Sequence, residues 1–357
     1  MIEVSKSLFW IEMMGNFRTG LVCLLLLLVC ACSGPRIDER YAATVVKQEL
    51  SLPTNVTAKE LHGGYSWAKL FVATDGSNQY VIKFIEGSAE REIYNSKVAS
   101  DEGAGPKVYF ADVPKGILIM EFLPGKITWQ ELQSDQLDLS LAHLLQTIHR
   151  GRPFIGGFDA PHMIVNQIQK HESFLPIARL GKIFERLQKT LTPHLVTTPC
   201  HNDLSPRNIL LVGNQCKAID YADAGQSDPY YDVASAVISV AFLNPARENL
   251  LFSTYLGHTP SSTEKAKLYL MKQVVWINWI CNDVRNLPPE YLQKYDSVEM
   301  IPLSDYYKES VEGRFDLGNP TNRFMDLKIK LNILFANADS QEFATAVQLL
   351  SKQDLTE

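Results

Sequence analysis

One run of this sequence places proton-accepting and metal-binding side chains close together: His201-Asn202-Asp203-Leu204-Ser205-Pro206-Arg207-Asn208-Ile209-Leu210-Leu211. Ile219-Asp220-Tyr221 follows, with Asp220 twelve residues after Asn208. Apolar residues flank the polar stretch, so it reads as strand, turn, strand and puts Asp203, Asn208 and Asp220 around one cleft. Such a trio suits phosphoryl transfer from ATP. One carboxylate accepts the proton of an attacking hydroxyl. An amide oxygen and a second carboxylate hold Mg2+, a hard cation that takes oxygen ligands and neutralises charge on the phosphates. A polar loop between two core strands would explain the apolar flanks but not this spacing.

The elements around the run must position it. Ile37 to Leu50 has a helical pattern and stops at Leu52-Pro53. Val56 to Lys83 alternates apolar and polar residues, with turn signals at Gly63-Gly64 and Asp75-Gly76. Tyr80-Val81-Ile82-Lys83-Phe84-Ile85 is a nearly continuous apolar strand, and a lysine in such a strand needs a partner. Glu90-Arg91-Glu92 opens a helix that ends at Asp101-Glu102-Gly103. Two further strands are expected, Gly105 to Phe110 and Gly116 to Leu123, the second closed by Pro124-Gly125. From there the periodicity is mainly helical: Leu137 to Arg150, His171 to Leu191, Leu268 to Val284, Phe315 to Leu334 and Ser340 to Lys352. Strands first and helices afterwards indicate an α+β chain.

With these residues in view, the chain resembles the choline kinase and aminoglycoside phosphotransferase group, small-molecule relatives of the protein kinases, from about Leu61 to about Asp283. Asn202 and Ser205 stand where protein kinases carry the arginine of His-Arg-Asp and the lysine that follows, as in the small-molecule branch. Ala224-Gly225-Gln226-Ser227-Asp228-Pro229-Tyr230-Tyr231-Asp232-Val233-Ala234 also resembles that branch. The resemblance implies a two-lobed protein-kinase-like fold, with a small antiparallel β N-lobe and a larger, mainly α-helical C-lobe. It implies ATP and Mg2+ as cofactors and a small-molecule hydroxyl as acceptor.

The same resemblance assigns roles. Leu61 to Ser66 would form the loop that covers the phosphates, with Gly63, Gly64 and Ser66 at the nucleotide; a plain hairpin turn is the alternative. Lys83 would orient the phosphates, and Glu92, or alternatively Glu90, would position Lys83. Backbone groups of Glu121 to Leu123 would bond the adenine edge. Asp203 would be the base, and Asn208 and Asp220 the Mg2+ ligands. His201 reads as a structural hydrogen-bonder, and Asp232 as a tie between the catalytic loop and the helix it begins. Trp276 and Trp279 share a helix face, with Asp283 one turn beyond; they could receive a cationic substrate or simply pack in the core. Two departures bear on the acceptor. Asp220-Tyr221-Ala222-Asp223 lacks a glutamate usual in the choline branch, and Ser239 stands near the place of another. A quaternary amine would be left with fewer carboxylates; the acceptor is read as an amino alcohol such as choline or ethanolamine, and these departures bring in an aminoglycoside, thiamine or a sugar as alternatives. A membrane-anchored, catalytically silent binding protein is the reading from another class. A kinase of proteins is disfavoured by the missing lysine and by the compact segment from Asp220 to Asp232.

The 357 residues suffice for two lobes with sizeable cores. A net charge of −6 offers no general attraction for nucleic acid. Cys200, Cys216 and Cys281 are scattered, which fits neither a zinc site nor a disulfide scaffold. The N-terminus raises a separate question. Leu21 to Cys32 is wholly apolar, follows Arg18 and is too short to span a bilayer comfortably. It reads as the core of a secretory signal, and Val29-Cys30-Ala31-Cys32 before Ser33-Gly34 resembles a lipoprotein cleavage box that would leave Cys32 lipidated. ATP is a cytosolic substrate, so three resolutions are open: a cytosol-facing anchor, a true start near Arg36 giving a cytoplasmic protein, or export. Membrane association is the favoured expectation. The domain organisation expected is a signal-like segment over 1–35, a nucleotide-binding lobe over 36–123 and a catalytic and acceptor-binding lobe over 124–357.

Overall fold

The computed structural model describes residues 36–353 except 54, 62–67, 126, 159, 172–174, 242–243 and 294–300. The signal-like segment with Cys32, and the expected phosphate-loop residues Gly63, Gly64 and Ser66, lie outside the described residues. The chain divides into two compact units, Met1–Phe84 and Ile85–Glu357, a boundary that falls inside the lobe expected over 36–123.

In the first unit, helix α1 (Glu39–Glu49) starts at Asp38, whose carboxylate accepts from the Tyr41 N–H at 3.0 Å. Its buried residues, Ala42, Val45 and Val46, recur at helical spacing and form the apolar face. Strands β1 (Thr57–Glu60), β2 (Lys69–Thr74) and β3 (Gln79–Phe84) form an antiparallel meander in which Thr74 pairs with Gln79. The expected Asp75-Gly76 turn joins β2 to β3. Asp75 accepts from the N–H groups of Ser77 (2.8 Å) and Asn78 (2.7 Å), and Gly76 takes the positive φ the turn requires. Phe71, Ala73, Ile82 and Phe84 are buried and fill the unit's core. Lys83 is buried with them on β3.

The second unit opens with α2 (Glu90–Asp101), closed by Gly103 at positive φ, and the antiparallel pair β4 (Val108–Asp112) and β5 (Ile117–Glu121). Helices then dominate: α3 (Asp135–Arg150), α4 (Ala160–Lys170) and α5 (Leu175–Leu191) precede the site, and α6 (Pro229–Val240) and α7 (Pro245–Leu256) follow it. The longest helix, α8 (Ser262–Asn286), begins at a capping box in which Ser261 and Glu264 satisfy each other's backbone N–H. Helices α9 (Pro289–Leu292), α10 (Leu303–Val311), α11 (Pro320–Ala338) and α12 (Gln341–Gln353) close the unit. Helices α4, α5, α6, α11 and α12 pack on α8, whose residues from Ala266 to Ile277 are almost all buried. A fully buried ion pair, Arg247 Nη2 to Asp138 Oδ1 at 2.6 Å with Nε to Oδ2 at 2.8 Å, joins α7 to α3. The described elements thus give the antiparallel β N-lobe and mainly helical C-lobe of the expected fold class. No helix among the described residues is long and apolar enough to cross a membrane.

Candidate active site

The run from His201 to Asn208 lies between β6 (Thr198–Cys200) and the hairpin of β7 (Ile209–Val212) and β8 (Gln215–Ala218); β9 (Gly225–Ser227) pairs back with β6. This framework holds Asp203 and Asn208 on one loop and Asp220 on the next. Asn202 and Asp220 both sit in the left-handed backbone region (φ 67° and 66°), which costs a non-glycine residue about 1–2 kcal/mol. Surrounding hydrogen bonds hold the first in place. Asp232, without solvent exposure at the start of α6, accepts the N–H of His201 at 2.6 Å and that of Asn202 at 2.7 Å. The Asn202 side chain donates to the Asp223 carbonyl at 3.0 Å and accepts from the Ser227 hydroxyl at 2.5 Å. Asp232 is therefore the tie that the sequence suggests.

His201 is fully buried, its ring nitrogen Nε2 lies 3.0 Å from the Ile219 carbonyl, and Nδ1 accepts the Asp203 N–H at 3.3 Å. That network fixes a neutral imidazole with the proton on Nε2, and burial lowers its pKa. It is a structural hydrogen-bonder. His149 on α3 reaches the same carboxylate, Nε2 to Asp232 Oδ2 at 3.2 Å, with its Nδ1 2.9 Å from the Tyr255 hydroxyl. His149, Cys200 and Asp232 come close enough to suggest a metal cluster. Their lone pairs are instead used within the protein, and burial raises the Cys200 thiol far from the thiolate form that a metal needs.

Asn208 donates through Nδ2 to both the Asp203 carbonyl (2.9 Å) and Asp203 Oδ2 (2.7 Å). A flipped amide would set its oxygen against two acceptors, so Oδ1 is the atom left for a cation. Burial, then the charges of Asp223 and Asp220, push the half-buried Asp203 carboxyl up to about 7. Carboxylates near enough to act on one another's charge, with an oriented amide oxygen beside them, are a donor set that fits Mg2+. Asp223, exposed and three residues past Asp220, joins the site although the sequence reading gave it no role. The only signal for it was that spacing.

Among the other expected site residues, Lys83 and Glu92 are buried whereas Glu90 is exposed, so burial separates the two glutamates. At the expected adenine-binding stretch, the Glu121 N–H already donates to the Lys107 carbonyl at 2.8 Å, closing the β4–β5 pair. Phe122 and Leu123 follow as irregular, half-buried backbone. Trp276 is buried and Trp279 partly so, their rings edge-to-face with centroids 5.5 Å apart. Asn278, between them in sequence, donates to the Tyr231 hydroxyl at 2.9 Å and brings the middle of α8 to the residue before Asp232. Asp283 is buried against cations of the chain itself, Lys330 at 2.6 Å and Arg323 at 3.6 Å, and the Lys330 ammonium lies 5.8 Å from the Trp279 ring centroid. Lys330 also bonds the buried Asp326 at 2.6 Å, so the two carboxylates share the chain's own cations.

Residues 57–263, more than half of the chain, match the phosphotransferase enzyme family, and the chain belongs to that family. Protein LicA of Haemophilus influenzae is 24% identical over 205 residues, covering 55% of this chain and 76% of that protein. A choline/ethanolamine kinase family protein from Mesorhizobium loti is similar in structure with a TM-score of 0.61 at 15% identity, over 82% of this chain and 92% of the other. The choline kinase LicA from Streptococcus pneumoniae gives 0.53 at 24% identity, over 82% and 99%. A spectinomycin phosphotransferase in complex with ADP and spectinomycin gives 0.56 at 14% identity, over 85% and 99%. The resemblance read from the catalytic run is thereby borne out, and so is the protein-kinase-like fold.

Proposed function

We propose that the protein transfers the γ-phosphoryl group of ATP, with Mg2+, to a hydroxyl of a small molecule. The observation that carries this reading is the Asn208 amide bonded to Asp203, beside Asp220 and Asp223. It supports Asp203 as the group that accepts the hydroxyl proton, and Asn208 and Asp220 as the residues that would hold metal. A bound Mg2+ would supply charge neutralisation on the phosphates. In this reading Lys83 orients the phosphates, Glu92 positions Lys83, and Gly63, Gly64, Ser66 and the backbone near Leu123 contact the nucleotide. The nucleotide complexes among the structural relatives, with AMP and with ADP, support the assignment of a nucleotide site. The acceptor is an amino alcohol such as choline or ethanolamine, by analogy with the two kinases of similar fold.

A second reading of the acceptor has its own observation. Asp283 is already paired with Lys330 and Arg323, which weakens the case for a cationic acceptor at Trp276 and Trp279 and favours an uncharged one such as a sugar hydroxyl. We further propose that the N-terminal segment attaches the protein to a membrane, with Cys32 as the lipidated residue. The test of the activity is phosphate transfer from radiolabelled ATP by the full chain to choline, ethanolamine, thiamine, sugars and aminoglycosides. Transfer to one acceptor, abolished in Asp203→Ala, is expected. A folded protein that transfers to none and binds no ATP with Mg2+ would sink the reading in favour of a silent binding protein.

A further inference from the structure

We propose that Arg91 and Asn95 are positioning residues that clamp the segment carrying Asp220 and Asp223 onto helix α2 and so set the geometry of the catalytic carboxylates. This inference rests on the phosphotransferase reading. Arg91 lies in the first turn of α2. Its Nε donates to the Ala224 carbonyl at 2.8 Å and its Nη2 to the Asp223 carbonyl at 2.7 Å. Asn95, one turn later on the same face, has no solvent exposure. Its Nδ2 donates to the Ala224 carbonyl at 2.8 Å and to the Ile155 carbonyl at 3.2 Å, while its Oδ1 accepts the Ile155 N–H at 2.9 Å. Two side chains of one helix thus saturate the backbone that begins three residues after Asp220.

The Asp223 carbonyl also receives the Asn202 amide at 3.0 Å, so a single oxygen joins α2 to the residue preceding Asp203. A carbonyl has two lone pairs, and both are used. The fold leaves space for the guanidinium at two glycines. A Cβ at Gly156, whose φ is +83°, would lie 2.8 Å from Arg91 Nε; one at Gly225 would lie 3.0 Å from Arg91 Nη2 and 2.8 Å from the Gly156 carbonyl oxygen. Gln226 closes the arrangement, its N–H bonded to the Gly156 carbonyl at 2.8 Å and its side chain to the Phe154 carbonyl at 2.8 Å. The planar fork of an arginine reaches two carbonyls at once, which a lysine ammonium cannot reproduce. A helix tie without a catalytic purpose could attach anywhere along the C-lobe. This one attaches to the main-chain carbonyls of Asp223, whose charge acts on Asp203, and of Ala224, and through the Asp223 oxygen it reaches Asn202, the residue before Asp203.

The experiment combines steady-state kinetics and amide hydrogen exchange on the full chain for the wild type, Arg91→Ala, Arg91→Lys and Asn95→Ala. Small displacements of reacting groups are costly, so Arg91→Ala should lower kcat by about tenfold to a hundredfold. The Mg2+ concentration for half-maximal rate should rise, while the acceptor KM changes by less than about threefold. Arg91→Lys should recover only part of the loss. Amides of 220–226 should exchange faster in the variants while those of α8 keep their protection. Folded variants with wild-type kcat and Mg2+ requirement would overturn the proposal, as would an equal loss of protection in α8, which marks general destabilisation. Asn95→Ala removes buried bonds and could fail to fold; the partly exposed Arg91 then decides. A wild type without turnover overturns the phosphotransferase reading and the catalytic part of this proposal, whereas an active wild type matched by its variants overturns the proposal alone.

Discussion

The amide nitrogen of Asn208 lies 2.7 Å from Asp203 Oδ2 and 2.9 Å from the Asp203 carbonyl, so one side chain orients the candidate base and aims its own oxygen away from it. Asn208→Asp would replace that donor by a carboxylate facing two acceptors. Turnover should fall about a hundredfold, and the Mg2+ dependence should shift. Rate measurements across a Mg2+ titration check this; a variant with wild-type kinetics would remove Asn208 from the site.

Asp232 satisfies two buried backbone N–H groups and lies 3.2 Å from His149. Leaving such donors without an acceptor costs about 1–3 kcal/mol each. Asp232→Ala should therefore lower thermal stability by several degrees as well as abolish turnover. Asp203→Ala, which strands no backbone donor, should lose turnover with little change in melting temperature. Calorimetry and activity on the two variants, run in parallel, would separate the tie from the base.

The buried pair Asp138–Arg247 carries a different expectation. Removing one partner strands a charge and should cost about 3–5 kcal/mol, whereas replacing both with apolar residues of similar volume restores much of the loss. Denaturation of Asp138→Leu, Arg247→Met and the double variant completes the cycle. If the double variant is no more stable than the worse single one, burial of unpaired charge is not the cause.

Asp75 gives a pH signature. Backbone hydrogen bonds from Asn78 and Ser77 hold its carboxyl down at about 2, against an ordinary 3.8. A depressed pKa in the folded state stabilises above the unfolded value, and that contribution is lost as pH falls from 3.8 toward about 2. Asp75→Ala should therefore be less stable than wild type above about pH 5 and converge with it near pH 2. Melting curves across that range test the sign, and a constant difference at all pH values would contradict it.

Asp283, held by Lys330 and Arg323, should behave as a structural residue. Asp283→Asn should lower the melting temperature and leave the acceptor KM within about threefold of wild type. A selective rise in KM for a cationic acceptor would return this carboxylate to the substrate site.

The sequence alone determined the spacing of the candidate site residues, because Asp203, Asn208 and Asp220 lie within eighteen residues and local strand and turn preferences suffice to bring them together. It likewise determined the Asp75-Gly76 turn, the apolar face of α1 and the strands-then-helices order, all of which depend on short-range periodicity. What only the tertiary structure decided depends on residues far apart in the chain. The meeting of His149 with Asp232, of Arg91 and Asn95 with Asp223 and Ala224, and of Lys330 with Asp283 spans 47 to 133 residues and leaves no periodic trace. The same holds for burial of a polar side chain: the sequence ranked Glu92 before Glu90 by spacing, and packing is what buries the first and exposes the second. A short motif fixes which atoms can do chemistry, whereas their charge and rigidity come from neighbours that the chain supplies only once it has folded.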